Sequence, residues 1–384
     1  MSVSILYSIK IGGGNIKLYN IQYALEYIYK TNYDKYNVIL EQLVIYLKKF
    51  DKIQSVSIVS DDTVSKHHLA KLLHILEENC LMTNTLIIKT GEKSKSWNNL
   101  KRVTEWLIEK RVERRDFVIG MGGGVIGDLV GFAASIVRRG IKVIHVPTSL
   151  LAQVDSAIGG KTSINSNQGK NLIGTFYQPS LVLSDVSMLG TLKGRDFRSG
   201  FGEVIKYSLI KDCLFFKWLE KQDIATFQAS DTQLIHMVET SSKIKADIVE
   251  KDEKEQGIRA LLNFGHTFGH ALEAATGYSN RLLHGEGVIL GSCLALNLSK
   301  DLNLIDEEEI NRIKNYLTSS GFKTKIDQIP GEGLSMETLL NLMYQDKKVT
   351  SNQLNFVLLK KIGEGILVNN VDPENVKNVL LESI

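Results

Sequence analysis

Phe117-Val-Ile-Gly-Met-Gly122-Gly-Gly124-Val-Ile-Gly127-Asp128 is the stretch whose reading decides the fold. Phe117–Met121 is a short apolar run that reads as a buried strand, and the glycines lead into a helix expected over 128–138. Strand, glycine turn and helix together are the context in which G-x-G-x-x-G has a physical meaning. Glycines let the backbone approach a pyrophosphate closely, and the unpaired N–H groups of a helix start favour an anion. Two features set it apart from an ordinary dinucleotide fingerprint. More than 100 residues precede it, and the position where an acid would hold a ribose falls close to Pro147. A tight structural turn is the competing reading.

The same alternation extends to either side. Residues 5–11 read as a strand closed by Gly12-Gly13-Gly14, and 55–60, 83–89 and 141–146 as further strands. Helices are expected over 64–79 and 96–111. From about 19 to 50 the period becomes helical, with Ile39, Leu40, Leu43, Val44 and Leu47 on one face. Strands alternating with helices predict an α/β half, residues 1–193, built on a mostly parallel sheet. Past about 190 amphipathic helices follow one another, including 231–252, where Lys245 adjoins an apolar face. The second half, 194–384, is therefore expected to be all-α, or mainly so, with 354–359 and 365–368 as a small hairpin. Gly194–Gly200 is the expected hinge.

Composition narrows the function. The chain has 384 residues, 43% hydrophobic and 23% charged, as ordinary globular proteins do. A net charge of +3 argues against nucleic acid or a membrane as partner and leaves a small-molecule ligand. The three cysteines, Cys80, Cys213 and Cys293, form no CxxC and suit a reducing compartment. Without a long apolar run or a basic leader, a cytoplasmic protein is expected.

Two further clusters carry chemistry. Asp155-Ser-Ala-Ile-Gly-Gly-Lys161-Thr and Gly169-Lys170-Asn171 set a carboxylate, hydroxyls and lysines among glycines, which suits an anionic, hydroxylated ligand. A P-loop would need glycine at 155, where Asp155 stands, so an ATPase is excluded. The second cluster is Asn263-Phe-Gly-His266-Thr-Phe-Gly-His270 with Leu283-His284-Gly-Glu286, which holds three of the eight histidines. On a helix His266 and His270 share a face. His266, His284 and a carboxylate make a plausible zinc set with an open position for water or substrate. Glu203, at the start of an apolar helix with Lys206 one turn on, is one such carboxylate, and Glu286 and His270 are rivals for a place in the set.

Taken in order, these blocks resemble the 3-dehydroquinate synthase family of sugar phosphate cyclases. The matching blocks are Gly91-Glu92-Lys-Ser-Lys95, Gly122–Asp128, Arg139-Gly140, Val154–Thr162, Gly169–Gly174, Gly202-Glu203-Val-Ile-Lys206-Tyr, Arg259–His270, Leu283–Glu286 and Asp346-Lys347-Lys348. The resemblance implies an NAD-binding α/β domain, an α-helical metal domain and a substrate cleft between them.

On that resemblance zinc, or cobalt in its place, is held by Glu203, His266 and His284. NAD contacts Asp61, Glu92, Lys95, the turn Gly123, Gly124, Val125, Ile126, Gly127 and Asp128, then Thr148, Ser149, Lys161, Lys170, Met188 and Thr191. Substrate contacts are Asp155, Lys161, Asn171, Lys206, Lys245, Arg259, Asn263, His270, His284 and Lys347 or Lys348. Lys206, His270, Asp155, Glu255 and Arg259 are the candidates for catalysis. Arg139 matches an arginine that reaches a neighbouring subunit, which implies a homodimer. The implied chemistry starts from 3-deoxy-D-arabino-heptulosonate 7-phosphate, which is transiently oxidised by NAD, loses phosphate, is reduced again and closes a carbocycle by aldol reaction.

Gly202, Gly287, Ser149 and Thr63 depart from the family pattern by small changes that leave the ligands intact. Two rival classes are other cyclases, of the 2-deoxy-scyllo-inosose or valiolone type, and metal-dependent polyol dehydrogenases. The charged Arg139 and Asp346-Lys347-Lys348 argue against an uncharged polyol.

Overall fold

The computed structural model describes residues 7–11, 14–19, 35–50, 53, 55–345 and 354–384. They fall into two compact units: the residues up to Lys193 with Asp231–Glu253, and Gly194–Ser230 with Lys254–Ile384.

The first unit is built on strands β1 (Tyr7–Ile11), β2 (Gly14–Tyr19), β3 (Ser55–Asp61), β4 (Met82–Ile88), β5 (Phe117–Gly122), β6 (Lys142–Pro147) and β9 (Leu181–Leu183), in the order β1-β2-β9-β6-β5-β3-β4. Among the described strands of this sheet only the β1–β2 pair is antiparallel. Parallel neighbours need crossovers, and helices α1 (Lys35–Leu47), α2 (Ala70–Glu78), α3 (Trp97–Glu109) and α4 (Gly124–Ile136) lie between the strands. Every residue of β5 is buried, as its unbroken apolar run requires of a central strand covered on both faces. Leu100, Val103 and Leu107 of α3 and Ile126, Leu129 and Val130 of α4 join Val118 and Val143 in one core cluster. A separate antiparallel hairpin, β7 (Lys161–Ser166) and β8 (Gly169–Phe176), inserts Ile164 into that core.

Several boundaries differ from the expectation. Tyr19 ends β2, and within 19–50 the described helix is Lys35–Leu47; residues 20–34 lie outside the described set. α4 starts at Gly124, because the chain turns directly off β5 at Gly122. The helix α8 (Asp231–Lys251) belongs with the first unit and not the second: its Ala246 and Val249 pack in a core cluster with Ala157, Ile158 and Val182.

The second unit comprises α5 (Gly194–Lys211), α6 (Cys213–Leu219), α7 (Ile224–Ala229), α9 (His266–Ala275), α10 (His284–Asp301), α11 (Glu307–Ser319), α12 (Met336–Gln345) and α13 (Pro373–Leu381). Its described residues are helical apart from the expected small hairpin, β10 (Phe356–Lys361) and β11 (Glu364–Val368). Gly194–Gly200 opens α5 and is not a hinge loop. The α5 and α10 backbones touch: a Cβ on Gly285 would come 1.7 Å from the Ser199 carbonyl oxygen. Among the described residues no helix is long and apolar enough to cross a membrane.

Beneath α4, His145 of β6 is buried with no hydrogen-bond partner on Nδ1 among the described residues, and a Cβ on Gly131 would meet its ring at 3.7 Å. Burial depresses this imidazole to about 4 from its ordinary 6.5. The unfolded chain therefore takes up a proton that the folded one refuses. Stability is fully present above pH 6.5 and lost progressively down to about pH 4. The loss attributable to this one group is about 3 kcal/mol. Urea titrations at stepped pH should show that slope, and His145→Asn should flatten it even if its stability at neutral pH falls. A variant that keeps the wild-type slope would assign the acid sensitivity elsewhere.

Candidate active site

In the second unit Glu203 lies in the third turn of α5 with no exposed surface, and Lys206, one turn on, is buried beside it and paired with Oε2. His266 and His284 bring their Nε2 atoms to 3.5 and 3.3 Å from Glu203 Oε1. Each histidine is oriented from behind. His266 Nδ1 donates to the Phe264 carbonyl at 3.1 Å, and His284 Nδ1 to Glu273 Oε2 at 2.9 Å, so both Nε2 atoms are directed toward the carboxylate. Local backbone sets the first of these: Gly265 adopts φ +77°, and any Cβ there would lie 2.5 Å from Val288 O, so glycine alone lets α9 begin at His266.

The electrostatics describe a cation site. Burial would push the Glu203 carboxyl up, but Lys206 and the two imidazoles hold it well below the usual carboxylate range. Burial, helped by Lys206, depresses His266 to about 3. Burial works the same way on His284, yet Glu273 and Glu203 together outweigh it and raise that imidazole to about 10. The proton on His284 supplies the positive charge that a divalent ion would supply in its place. Among the described residues neither Glu203 oxygen has a well-formed hydrogen bond although both are fully buried, and the donor atoms of Glu203, His266 and His284 lie within 4.8 Å of one another. One carboxylate and two imidazoles are a donor set that zinc accepts.

His270, one turn past His266, has its ring centroid 5.3 Å from that of His266 and 6.2 Å from that of His284. It falls in a second group with Glu273 and His284. Glu286 is committed elsewhere: Arg195 Nε and Nη2 each donate to it at 2.7 Å, and it caps Leu283 N at 2.9 Å. Asn263 donates to Glu255 Oε1 at 2.6 Å, and Arg259 is 1% exposed in the preceding turn. Lys347 and Lys348 lie outside the described residues.

In the first unit the glycine turn forms a cradle. A Cβ on Gly124 would fall 2.9 Å from Ser156 Oγ, and that hydroxyl is buried without a hydrogen-bond partner among the described residues. Val125, Ile126, Gly127 and Asp128 complete the first turn of α4, and Thr148 N donates to Gly122 O at 3.0 Å, tying β6's end to the turn. Backbone room, an orphan hydroxyl and a helix start suit a pyrophosphate.

Around the cradle, Lys95 Nζ pairs with Asp128 Oδ2 at 2.5 Å and also with Asn171 Oδ1, while burial pushes the Asp128 carboxyl up against the pull of Lys95. Asp61 Oδ1 accepts from Thr63 N, Val64 N and Thr90 Oγ1, each at 2.9 Å. Asp155 Oδ1 is paired with Lys245 at 2.7 Å. Thr191 is held by His68 Nε2 at 2.9 Å, next to the buried Met188. Ser149 lies 3.4 Å from where a Gly123 Cβ would be. Glu92 is half-buried, Lys170 likewise, and Lys161 and Arg139 are exposed.

Ser156, Glu273 and His68 were not singled out from the sequence. Glu273 had a signal: it follows His266 by seven residues, two turns along the same helix face. Ser156 and His68 had none, since only packing shows what they face.

This fold, with a glycine cradle in one unit and a Glu–His–His cluster in the other, is that of the sugar phosphate cyclases. Residues 85–199 match the family model described as 3-dehydroquinate synthase N-terminal, and 200–349 the one described as 3-dehydroquinate synthase C-terminal. The 3-dehydroquinate synthase of Ruegeria pomeroyi is 50% identical over 329 residues, 86% of this chain and 89% of that one. The chain belongs to the 3-dehydroquinate synthase family. Among solved structures, 2-epi-5-epi-valiolone synthase from Streptomyces hygroscopicus, with NAD+ and Zn2+ bound, has a TM-score of 0.79 at 26% identity, covering 86% of this chain and 91% of that one. A 2-deoxy-scyllo-inosose synthase complexed with carbaglucose-6-phosphate, NAD+ and Co2+ has a TM-score of 0.82 at 22% identity, covering 98% of this chain and 100% of that one, and shows the shared fold.

His266→Ala should lose bound divalent metal, read by elemental analysis after dialysis, and retention would remove His266 from the ligand set. Glu273→Gln leaves the donors in place but loosens His284, and should weaken metal affinity by about 10–100-fold in chelator competition.

Proposed function

We propose that this chain forms 3-dehydroquinate and phosphate from 3-deoxy-D-arabino-heptulosonate 7-phosphate, a step of the shikimate route to aromatic amino acids. The observation that carries this reading is the Glu203–His266–His284 cluster in a chain half identical, over 86% of its length, to a protein named for that reaction. NAD and zinc, when bound, supply a hydride acceptor that is restored within each turnover and a Lewis acid for the hydroxyl that is oxidised.

The chain's own residues do the rest. Glu203, His266 and His284 hold the metal, with cobalt a workable substitute for the same donors. Gly123–Asp128, Asp61, Glu92, Lys95, Thr148, Ser149, Lys161, Lys170, Met188 and Thr191 bind the dinucleotide, its pyrophosphate against the start of α4. Lys206, Arg259 and Asn263 offer N–H donors to the carboxylate and phosphate oxygens, and Asp155, Lys245 and Asn171 hydrogen-bond the hydroxyls. Lys347 adds a cation to the same ligand. His270 and Glu255 move protons at the reacting carbons. Arg139, exposed and with φ +63°, completes the phosphate site of a second copy in a homodimer. Cytoplasmic residence follows from this biosynthetic role.

The test supplies the heptulosonate phosphate with NAD and zinc, and follows phosphate release together with absorbance of NADH. Stoichiometric phosphate with no lasting NADH is expected. Turnover of glucose 6-phosphate alone, or NADH accumulating on glycerol, would replace this reading with a deoxyinosose synthase or a polyol dehydrogenase.

A further inference from the structure

Asn165 lies at an irregularity in the β7–β8 hairpin. The ladder pairs Ile164 with Ile173, then shifts register before Ser166 meets Gly169. Such bulges leave one residue out of the ladder and re-aim it. The Asn165 N–H turns away from the hairpin and donates to the Lys95 carbonyl at 2.9 Å. Its side chain faces two ways at once: Nδ2 donates to Glu92 Oε1 at 2.8 Å, and Oδ1 accepts from the Asn171 N–H at 3.0 Å. The direction of the amide follows from these partners, since Glu92 can only accept and a backbone N–H can only donate.

Two separate segments, Glu92–Lys95 and the strand that carries Asn171, therefore meet on this one residue. Asn171 has φ +58°, a left-handed conformation that a non-glycine residue keeps where its surroundings enforce it. The bond from its N–H to Asn165 is such an enforcement. Asn171 Oδ1 in turn receives Lys95 Nζ, which also holds Asp128 in the first turn of α4, and Ser163 Oγ donates to the same Asn171 oxygen at 2.9 Å. A shift of Asn165 would release Glu92 directly and Lys95 and Asp128 at one remove.

We propose that Asn165 is a positioning residue for dinucleotide binding, setting Glu92, Lys95 and Asn171 in register without touching the ligand. This rests on the reading that those residues contact NAD and substrate. Losing two hydrogen bonds from a polar layer of this kind lowers affinity about tenfold.

The experiment titrates NAD into the full chain by calorimetry and records thermal unfolding of each variant without NAD. Asn165→Ala is expected to raise the Kd for NAD about tenfold with little change in the unfolding midpoint. Asn165→Asp sets a second carboxylate against Glu92 and should bind more weakly still. Combined with Glu92→Gln, which restores a donor–acceptor pair of exchanged polarity, it should return the Kd to that of Glu92→Gln alone. A merely structural role would not give that rescue, and the double variant decides the matter should Asn165→Ala fail to fold. Unchanged affinity in Asn165→Ala, or no rescue in the double variant, beside a wild type that binds NAD, overturns the proposal alone. A wild type that binds no NAD overturns the cofactor reading and this proposal with it.

Discussion

A carboxylate held wholly out of water is the demand that the second unit answers. An ionised Glu203 without exposed surface would cost several kcal/mol unless opposite charge and directed dipoles replaced its hydration. Lys206 supplies one charge from the same helix, and two imidazoles converge on the other oxygen. That convergence needs α5 and α10 at backbone contact, which the missing Cβ of Gly285 permits, and a fixed start for α10, which Arg195 clamps through Glu286 and two carbonyls of the preceding loop. The apolar cores of these helices hold them together. The polar contacts at their N-terminal ends determine how they meet.

The first unit solves a milder version of the same problem. Lys95 is buried but never alone, sharing Asp128 and Asn171, and the cradle beside it leaves one hydroxyl, Ser156, unsatisfied. An orphan donor next to open backbone is an unfavourable arrangement in a finished core, and a favourable one where a ligand completes it. The charge balance thus differs between the units. In one, an anion is prepared for a cation; in the other, N–H and hydroxyl groups are prepared for an anion.

What the sequence made legible follows the range of the interactions involved. Phe117–Asp128 declares its strand and turn because apolar run and glycines act within a few residues, although the first helical turn through Gly124–Gly127 is hidden by poor helix formers that hold it for the sake of close approach. Glu203, His266 and His284 stood out by residue type within family blocks. The β7–β8 hairpin did not, because Thr162-Ser-Ile-Asn-Ser carries one strong apolar anchor and its glycines suggest a loop. The docking of 231–253 with the first unit has no local signature at all, since an amphipathic stripe says that a helix packs but not on what. Glu286 looked like a ligand for the same reason that it makes a good cap: a carboxylate near a helix start suits either role.

The glycine contacts between helices also bear on how such a chain can be engineered. Replacing helical glycine by alanine is a routine route to thermostability, gaining about 0.4–1 kcal/mol where space allows. At Gly285 that substitution would drive a methyl group into a carbonyl oxygen, and at Gly265 it would also face a left-handed backbone. Helix-strengthening designs guided by propensity alone would therefore choose positions where this unit tolerates change least. Heat resistance is better sought on outward faces such as that of α11, whose acidic first turn is already exposed to water.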